Sequence, residues 1–296
     1  EDGKLLYNGE AISDSNKPRE WTPIGENRNS YSGIIDGQYH TISGLYNGQC
    51  GQYAGFLGDC KGKVKNLGVV NSCFVMASYS SGVGGIAGII DYSGEIYNCY
   101  FQGILIMQQA HSTYGLIGEA KKGSLIRNCY CIDSQNIQSY QGIEAVSAEA
   151  LASGEAAWRL NQNNVTYKYN DSIKDYDYMK DAKMVWGQVL TGENQTSYPS
   201  AYQESLGNAV YRNVSKYQVC EHVKEPTDYA DEKNANRVIE YSFGNTQTKP
   251  EFVTQFQWNE NEEGKHVCSV CGSEQEHENV YSVEDDNHKI TASCLY

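Results

Sequence analysis

The sequence predicts a mostly β protein: a short β-solenoid of parallel strands with a capping helix, followed by a small β-rich module. Three observations carry this reading. The phrase YAGFLG, with glycines at 55 and 58, returns as VGGIAG (85 and 88) and TYGLIG (115 and 118), a step of thirty residues each time. A second phrase keeps nearly the same beat, as GKVKNLG (62–68), GEIYNCY (94–100) and GSLIRNCY (123–130), aligned on Asn66, Asn98 and Asn128. The composition has 29 glycines and 24 tyrosines but only 5 prolines among 296 residues, which favours turns and strands over a helical bundle.

A fixed period of this length marks stacked units, each too small to bury its own apolar face. Within a unit the residues are strand formers: Val64, Val69 and Val70, then Ile96, Tyr97 and Tyr100, then Ile126 and Tyr130. Strict alternation puts Ile96, Asn98 and Tyr100 on one face and Tyr97 and Cys99 on the other. Helical repeats need amphipathic segments of about ten residues, and glycines at 55, 58, 62 and 68 break them. Stacked strands place equivalent positions ~4.7–4.9 Å apart. Asn66, Asn98 and Asn128 are therefore expected to form an amide ladder at a bend, with Cys99 and Cys129 stacked as small buried hydrophobes.

The first domain is expected to span residues 1–204. Its capping helix covers about 147–162, SAEALASGEAAWRLNQ, which is rich in helix formers and has Ser147 as N-cap. Leu151, Ala152, Ala156 and Leu160 share one face, with Trp158 at its edge. A solenoid end exposes unpaired strand edges. The helix, with a closing strand at about 184–190 around Trp186, is assigned to capping or flanking the last coil.

From 205 to 296 the repeat is gone, and strand-like runs (NAVYRNV, RVIEYSF, EFVTQFQW) point to the β-rich module. Its notable feature is CEH, containing Cys220 and His222, followed later by HVCSVCG with Cys268 and Cys271. Three sulfurs and one imidazole make a tetrahedral set for structural zinc. A Cys268–Cys271 disulfide and free thiols remain alternatives, as does His266 or His277 in place of His222, and Cys294 in a second pair. Either bound form would staple a module that lacks a large core.

A net charge of −14 argues against a nucleic-acid or anionic-membrane partner, since both need a cationic surface. No run reaches the ~18 apolar residues of a membrane helix. The chain opens on EDGKLL and stops at ITASCLY, and is read as an excised piece of something longer. Its ten cysteines are too few for a disulfide-built scaffold.

WTPIG (21–25), YSGIIDGQYHTISGLY (31–46) and the glycine-bounded coils that follow together resemble the Glug-motif proteins of bacterial cell surfaces. The resemblance covers about residues 20–140, with a looser extension to 147–162 and 185–200. It implies a right-handed parallel β-helix in an extracellular, cell-surface or cell-wall location. β-Solenoids present long, flat, tyrosine-rich faces that can stack on sugars or meet extended partners. Adhesion or ligand binding is therefore the expected role, with host or dietary glycans or surface proteins as the expected partners. Similar C-x-H and C-x-x-C-G pairs accompany such coils. The motif also occurs in IgA-specific metallopeptidases, but their H-E-x-x-H zinc helix has no counterpart among the six histidines here.

Glycoside hydrolysis on this scaffold requires paired carboxylates, and a lyase would need a basic residue near acidic calcium ligands. The coil region offers Asp36, Asp59, Asp91, Glu95 and Glu119. Asp36 lies in a turn-like IDGQ, and Asp59 and Glu119 occupy similar places two repeats apart, roughly 10 Å by the stacking distance. Lys61, Lys63 and Lys65 read as a solvated edge, His40 as structural, and Tyr79, Tyr92, Tyr97, Tyr114 and Tyr140 as exposed aromatics. The expectation is a binding protein with no catalytic residues in this chain. A carbohydrate-active enzyme and a passive spacer are the alternatives.

Overall fold

The computed structural model describes residues 6–7, 10–13, 15–25, 29–76, 82–107, 113–132, 138–162, 165–170, 175–180, 184–190, 197–220, 238–254, 256–276, 279–284 and 289–294. The fold is mostly β. The chain divides into two compact units, residues 1–211 with 243–246, and residues 212–242 with 247–296.

The first unit is built on parallel pairing. The long strand Lys63–Met76 pairs on one side with Ile34–Ser43 and Tyr46–Cys50. On the other side it pairs with Glu95–Tyr97 and Tyr100–Met107. These lead on to Leu125–Arg127 and to Cys129–Ile132, and the latter pairs with Ile143–Val146. A second, three-stranded parallel sheet joins Leu57–Cys60, Ala87–Ile90 and Ile117–Ala120. Ala87 is in register with both Leu57 and Ile117, and Ile96 with both Val64 and Ile126. Neighbouring strands thus come from successive copies of the repeat, and side chains at equivalent positions stack.

The stacked residues Val64, Ile96, Leu57, Ala87 and Ile117 are fully buried in one core with Ile86, Leu116 and Phe101. Burying a valine, leucine or isoleucine side chain contributes roughly 1.5–3 kcal/mol, and a single copy has no facing layer to supply it. The repeated glycines answer to close backbone approach. A side chain at Gly58, Gly88 or Gly118 would collide with the backbone of Gly25, Ala54 or Val83.

The expected alternation of GEIYNCY is overturned at its asparagine. Asn66, Asn98 and Asn128 adopt left-handed backbone, with φ of 55°, 54° and 48°, a region that asparagine enters more readily than most residues. This shifts the phase of the strand. Ile96 and Cys99 enter the same core, while Tyr100 points into a separate cluster.

The expected helix is two helices, α1 (Ala148–Ser153) and α2 (Glu155–Gln162). Ser147 caps α1 by accepting from the Ala150 N–H at 3.2 Å. Gly154, with φ of 90°, ends α1 and donates its N–H to Leu151 O. The closing strand is short, Trp186–Gly187, and pairs antiparallel with Ser200–Ala201.

Leu151, Ala156, Leu160 and Trp186 form a second core with Val70, Tyr100, Tyr130 and Ile132. The Trp186 ring meets Tyr39 and Tyr100 edge-on, at centroid distances of 5.2 and 5.7 Å. The flank therefore spans several copies of the repeat.

In the second unit Glu251–Thr254 pairs parallel with the end of Tyr211–Val219. Trp258–Glu260, His266–Cys268 and Glu274–Gln275 form an antiparallel sheet, and Asn279–Glu284 forms a hairpin with Lys289–Cys294.

Candidate metal centre

Cys220 follows directly on the strand that ends at Val219, and Cys268 ends the strand His266–Cys268. A tight turn then brings Cys271 back beside Cys268. Gly272 N–H donates to Cys268 O at 3.0 Å, and Cys268 N–H donates to Ser273 O at 2.9 Å. Gly272 has a φ of 70°, the left-handed region that glycine enters without steric cost. Ser269 anchors the turn from outside: its hydroxyl accepts from Gln257 N–H at 2.9 Å, and its own N–H donates to Gln257 O.

The result is a cluster in which the sulfurs of Cys220, Cys268 and Cys271 all lie within 4.8 Å of one another. Cys220 and Cys268 are buried and Cys271 is half-buried. Burial alone would push the Cys271 thiol up. The Ser273 hydroxyl at 2.9 Å, the Ser273 N–H and the neighbouring sulfurs outweigh burial and bring it down to about 6. A sulfur ionised at neutral pH is the form that ligates a metal.

The sequence-predicted cysteine ligands thus meet, although some fifty residues separate Cys220 from the C-x-x-C turn. His222 and His277 lie outside the described residues. His266 is buried on the same sheet but does not join the mutual distance set. Ser273 was missed by sequence reasoning; its position two residues after Cys271 was the available signal.

The other thiols are of a different kind. Burial raises the pKa of Cys99 far above the usual thiol value and pushes Cys129 up to about 12. Their sulfurs face the carbonyls of Tyr97 and Arg127, at 3.3 and 3.2 Å. They are core atoms, as the stacking argument required.

The coil-region carboxylates are mostly engaged. Asp36 Oδ1 accepts from Asn66 Nδ2 and Gln38 N–H, and its Oδ2 pairs with Lys65 at 3.0 Å. Lys61 pairs with Asp91, Lys63 with Glu95, and Lys121 with Glu119. Asp59 Oδ2 accepts from Ser30 Oγ at 2.7 Å, while its Oδ1 is buried with no hydrogen-bond partner. Asp59 and Glu119 both align with Ile89, one on each side, so a strand separates them. His40 is exposed and in register with Leu67. Of the tyrosines expected outside, Tyr92 is 66% exposed, while Tyr97, Tyr114 and Tyr140 are half-buried, and Tyr79 lies outside the described residues.

No protein-family model, curated protein or solved structure matches this chain. Among the described residues, no helix is long and apolar enough to cross a membrane.

Proposed function

We propose that the first unit is a right-handed parallel β-helix of Glug type, acting outside a bacterial cell in adhesion or ligand binding without chemistry of its own. Support for the winding comes from parallel registers about one repeat apart in both sheets, thirty residues in the three-stranded sheet and for Ile96 with Ile126, and thirty-two for Ile96 with Val64. The observation that carries the function is the engagement of the acidic side chains. Asp36, Asp91, Glu95 and Glu119 each pair with a lysine. Two carboxylates poised across a scissile bond would stand otherwise.

The second unit is proposed to hold a structural zinc ion through Cys220, His222, Cys268 and Cys271. Three mutually close sulfurs support a metal over a simple Cys268–Cys271 disulfide. Zinc there would supply no catalysis, since four protein ligands leave no open position.

One atom favours a second reading. The unpaired Asp59 Oδ1 is a group that a lyase or hydrolase would use. The deciding experiment passes the purified chain over immobilised mucin and plant and bacterial polysaccharides, scoring both retention and release of sugar ends. Retention without release supports adhesion. Release that Asp59→Asn abolishes establishes the enzyme instead, and neither result leaves a passive spacer.

A further inference from the structure

A cleft of about 530 Å³ opens in the first unit, between the stretch Lys17–Pro23 and the stretch Asn47–Tyr53. Its volume falls within the ~300–1,000 Å³ of small-molecule sites. The two walls are tied together before any ligand arrives. Trp21 N–H donates to Tyr46 O at 2.6 Å, and Asn47 Nδ2 donates to Trp21 O at 3.0 Å. Gly48 N–H donates to Glu20 Oε2 at 2.8 Å, and Trp21 Nε1–H donates to Phe56 O at 3.2 Å. The Trp21 ring stacks on Phe56 with an interplanar angle of 20°, which fixes its plane. Asn47 uses the other end of its amide to accept from Gln49 N–H at 3.0 Å, so it is a strut between the walls. A site held open in this way avoids the ordering cost that a loose loop incurs on binding.

The lining then selects the ligand. Trp21 and Tyr53 supply aromatic surface, while Thr22 and Gln49 bring an exposed hydroxyl and an exposed amide. Hydroxyl and amide groups both donate and accept, which matches a ligand whose own hydroxyls do the same. The charged lining residues are Lys17 and Glu20, one of each sign, and Glu20 already accepts from Gly48. One lysine is a poor anchor for a phosphate or carboxylate on a chain of net charge −14. The polar rim is equally poor for a wholly apolar ligand.

We infer that this cleft binds a short, uncharged oligosaccharide, with a sugar ring laid against the aromatic surface and its hydroxyls met by Gln49 and Thr22. The inference rests on the adhesion reading and gives it a place and a ligand class.

The test is calorimetric titration of the whole chain with maltotriose, cellotriose and N,N′,N″-triacetylchitotriose, with 3′-sialyllactose as the anionic comparison. A neutral trisaccharide should bind, and sialyllactose more weakly. Gln49→Ala and Thr22→Ala remove exposed side chains and leave the wall ties in place. Each should weaken binding about fivefold, the effect of one lost hydrogen bond. Tyr92→Ala, at an exposed ring outside the cleft, should leave it unchanged. The inference is overturned if no neutral probe binds the folded chain, or if Tyr92→Ala abolishes binding that the cleft variants keep. Mucin retention undiminished in both cleft variants would sink the cleft and spare the adhesion reading. Loss of retention in the parent chain would sink the adhesion reading itself.

Discussion

The phenol ring of Tyr100 fills the place of the missing side chain at Gly68; a Cβ there would lie 2.5 Å from the ring. The two residues are in register on neighbouring parallel strands. Where the later copies of the repeat carry tyrosine, the first carries glycine, and Tyr100 leans over it. The tyrosine is fully buried, and its hydroxyl donates to Pro199 O at 2.5 Å. Gly68→Ala should therefore lower stability by about 1–3 kcal/mol through overpacking. Urea denaturation measures this, and an unchanged midpoint would refute the ring placement.

The asparagine ladder runs through the stack: Asn128 Nδ2 donates to Asn98 Oδ1 at 2.8 Å, and Asn98 Nδ2 donates to Asn66 Oδ1 at 3.1 Å. Two separable contributions follow. Asn98→Gly should lose the ladder bonds without straining the backbone, at about 0.5–1.5 kcal/mol for each bond. Asn98→Ala should cost a further ~1–2 kcal/mol because the backbone is left-handed. Equal denaturation midpoints for the two variants would show that the backbone conformation is not held there.

The ladder starts on a carboxylate. Burial pushes Asp36 up, but bonds from Asn66, Lys65 and the Gln38 N–H prevail, and its pKa falls below the usual 3.8. A depressed folded value contributes stability above the unfolded pKa and loses it as pH falls through the folded one. Thermal melts from about pH 2 to 5 should show a steeper acid decline for the parent chain than for Asp36→Asn. Parallel acid limbs would remove Asp36 from the account.

Thiol reactivity should separate the two kinds of cysteine. In metal-free protein at neutral pH, Cys271, with its pKa near 6, should take iodoacetamide first. Cys99 and Cys129, buried and shifted upward, should resist until the chain is unfolded. Mass spectrometry of the labelled peptides reads the order, and early labelling of Cys99 would contradict the packed core.

Protein purified without added zinc should carry about one equivalent of metal, and cobalt substitution should give the absorption of tetrahedral thiolate ligation. Cys271→Ser and Cys268→Ser should each abolish it, and His222→Ala should weaken it. A metal-free protein with a Cys268–Cys271 disulfide would end the zinc proposal.

The thirty-residue beat, the ladder and the buried cysteines were legible because stacking makes each copy repeat the same residue for the same reason. The C-x-x-C-G turn was legible because its geometry is local. The strand phase across Asn98 was not, because alternation assumes extended backbone and the asparagine leaves it. The break at Gly154 was misjudged because helix-forming neighbours on both sides concealed a left-handed cap.

By itself, then, the sequence determined the period, the parallel β class and the residues that stack, since these depend on spacing along the chain. Only the tertiary structure decided that Trp186 lies across Tyr39 and Tyr100, and that Cys220 meets the distant turn at Cys268 and Cys271. It likewise decided that Trp21 and Tyr53 share a cleft. Each of these joins residues far apart in sequence that no repeat relates, so their meeting depends on how the chain packs.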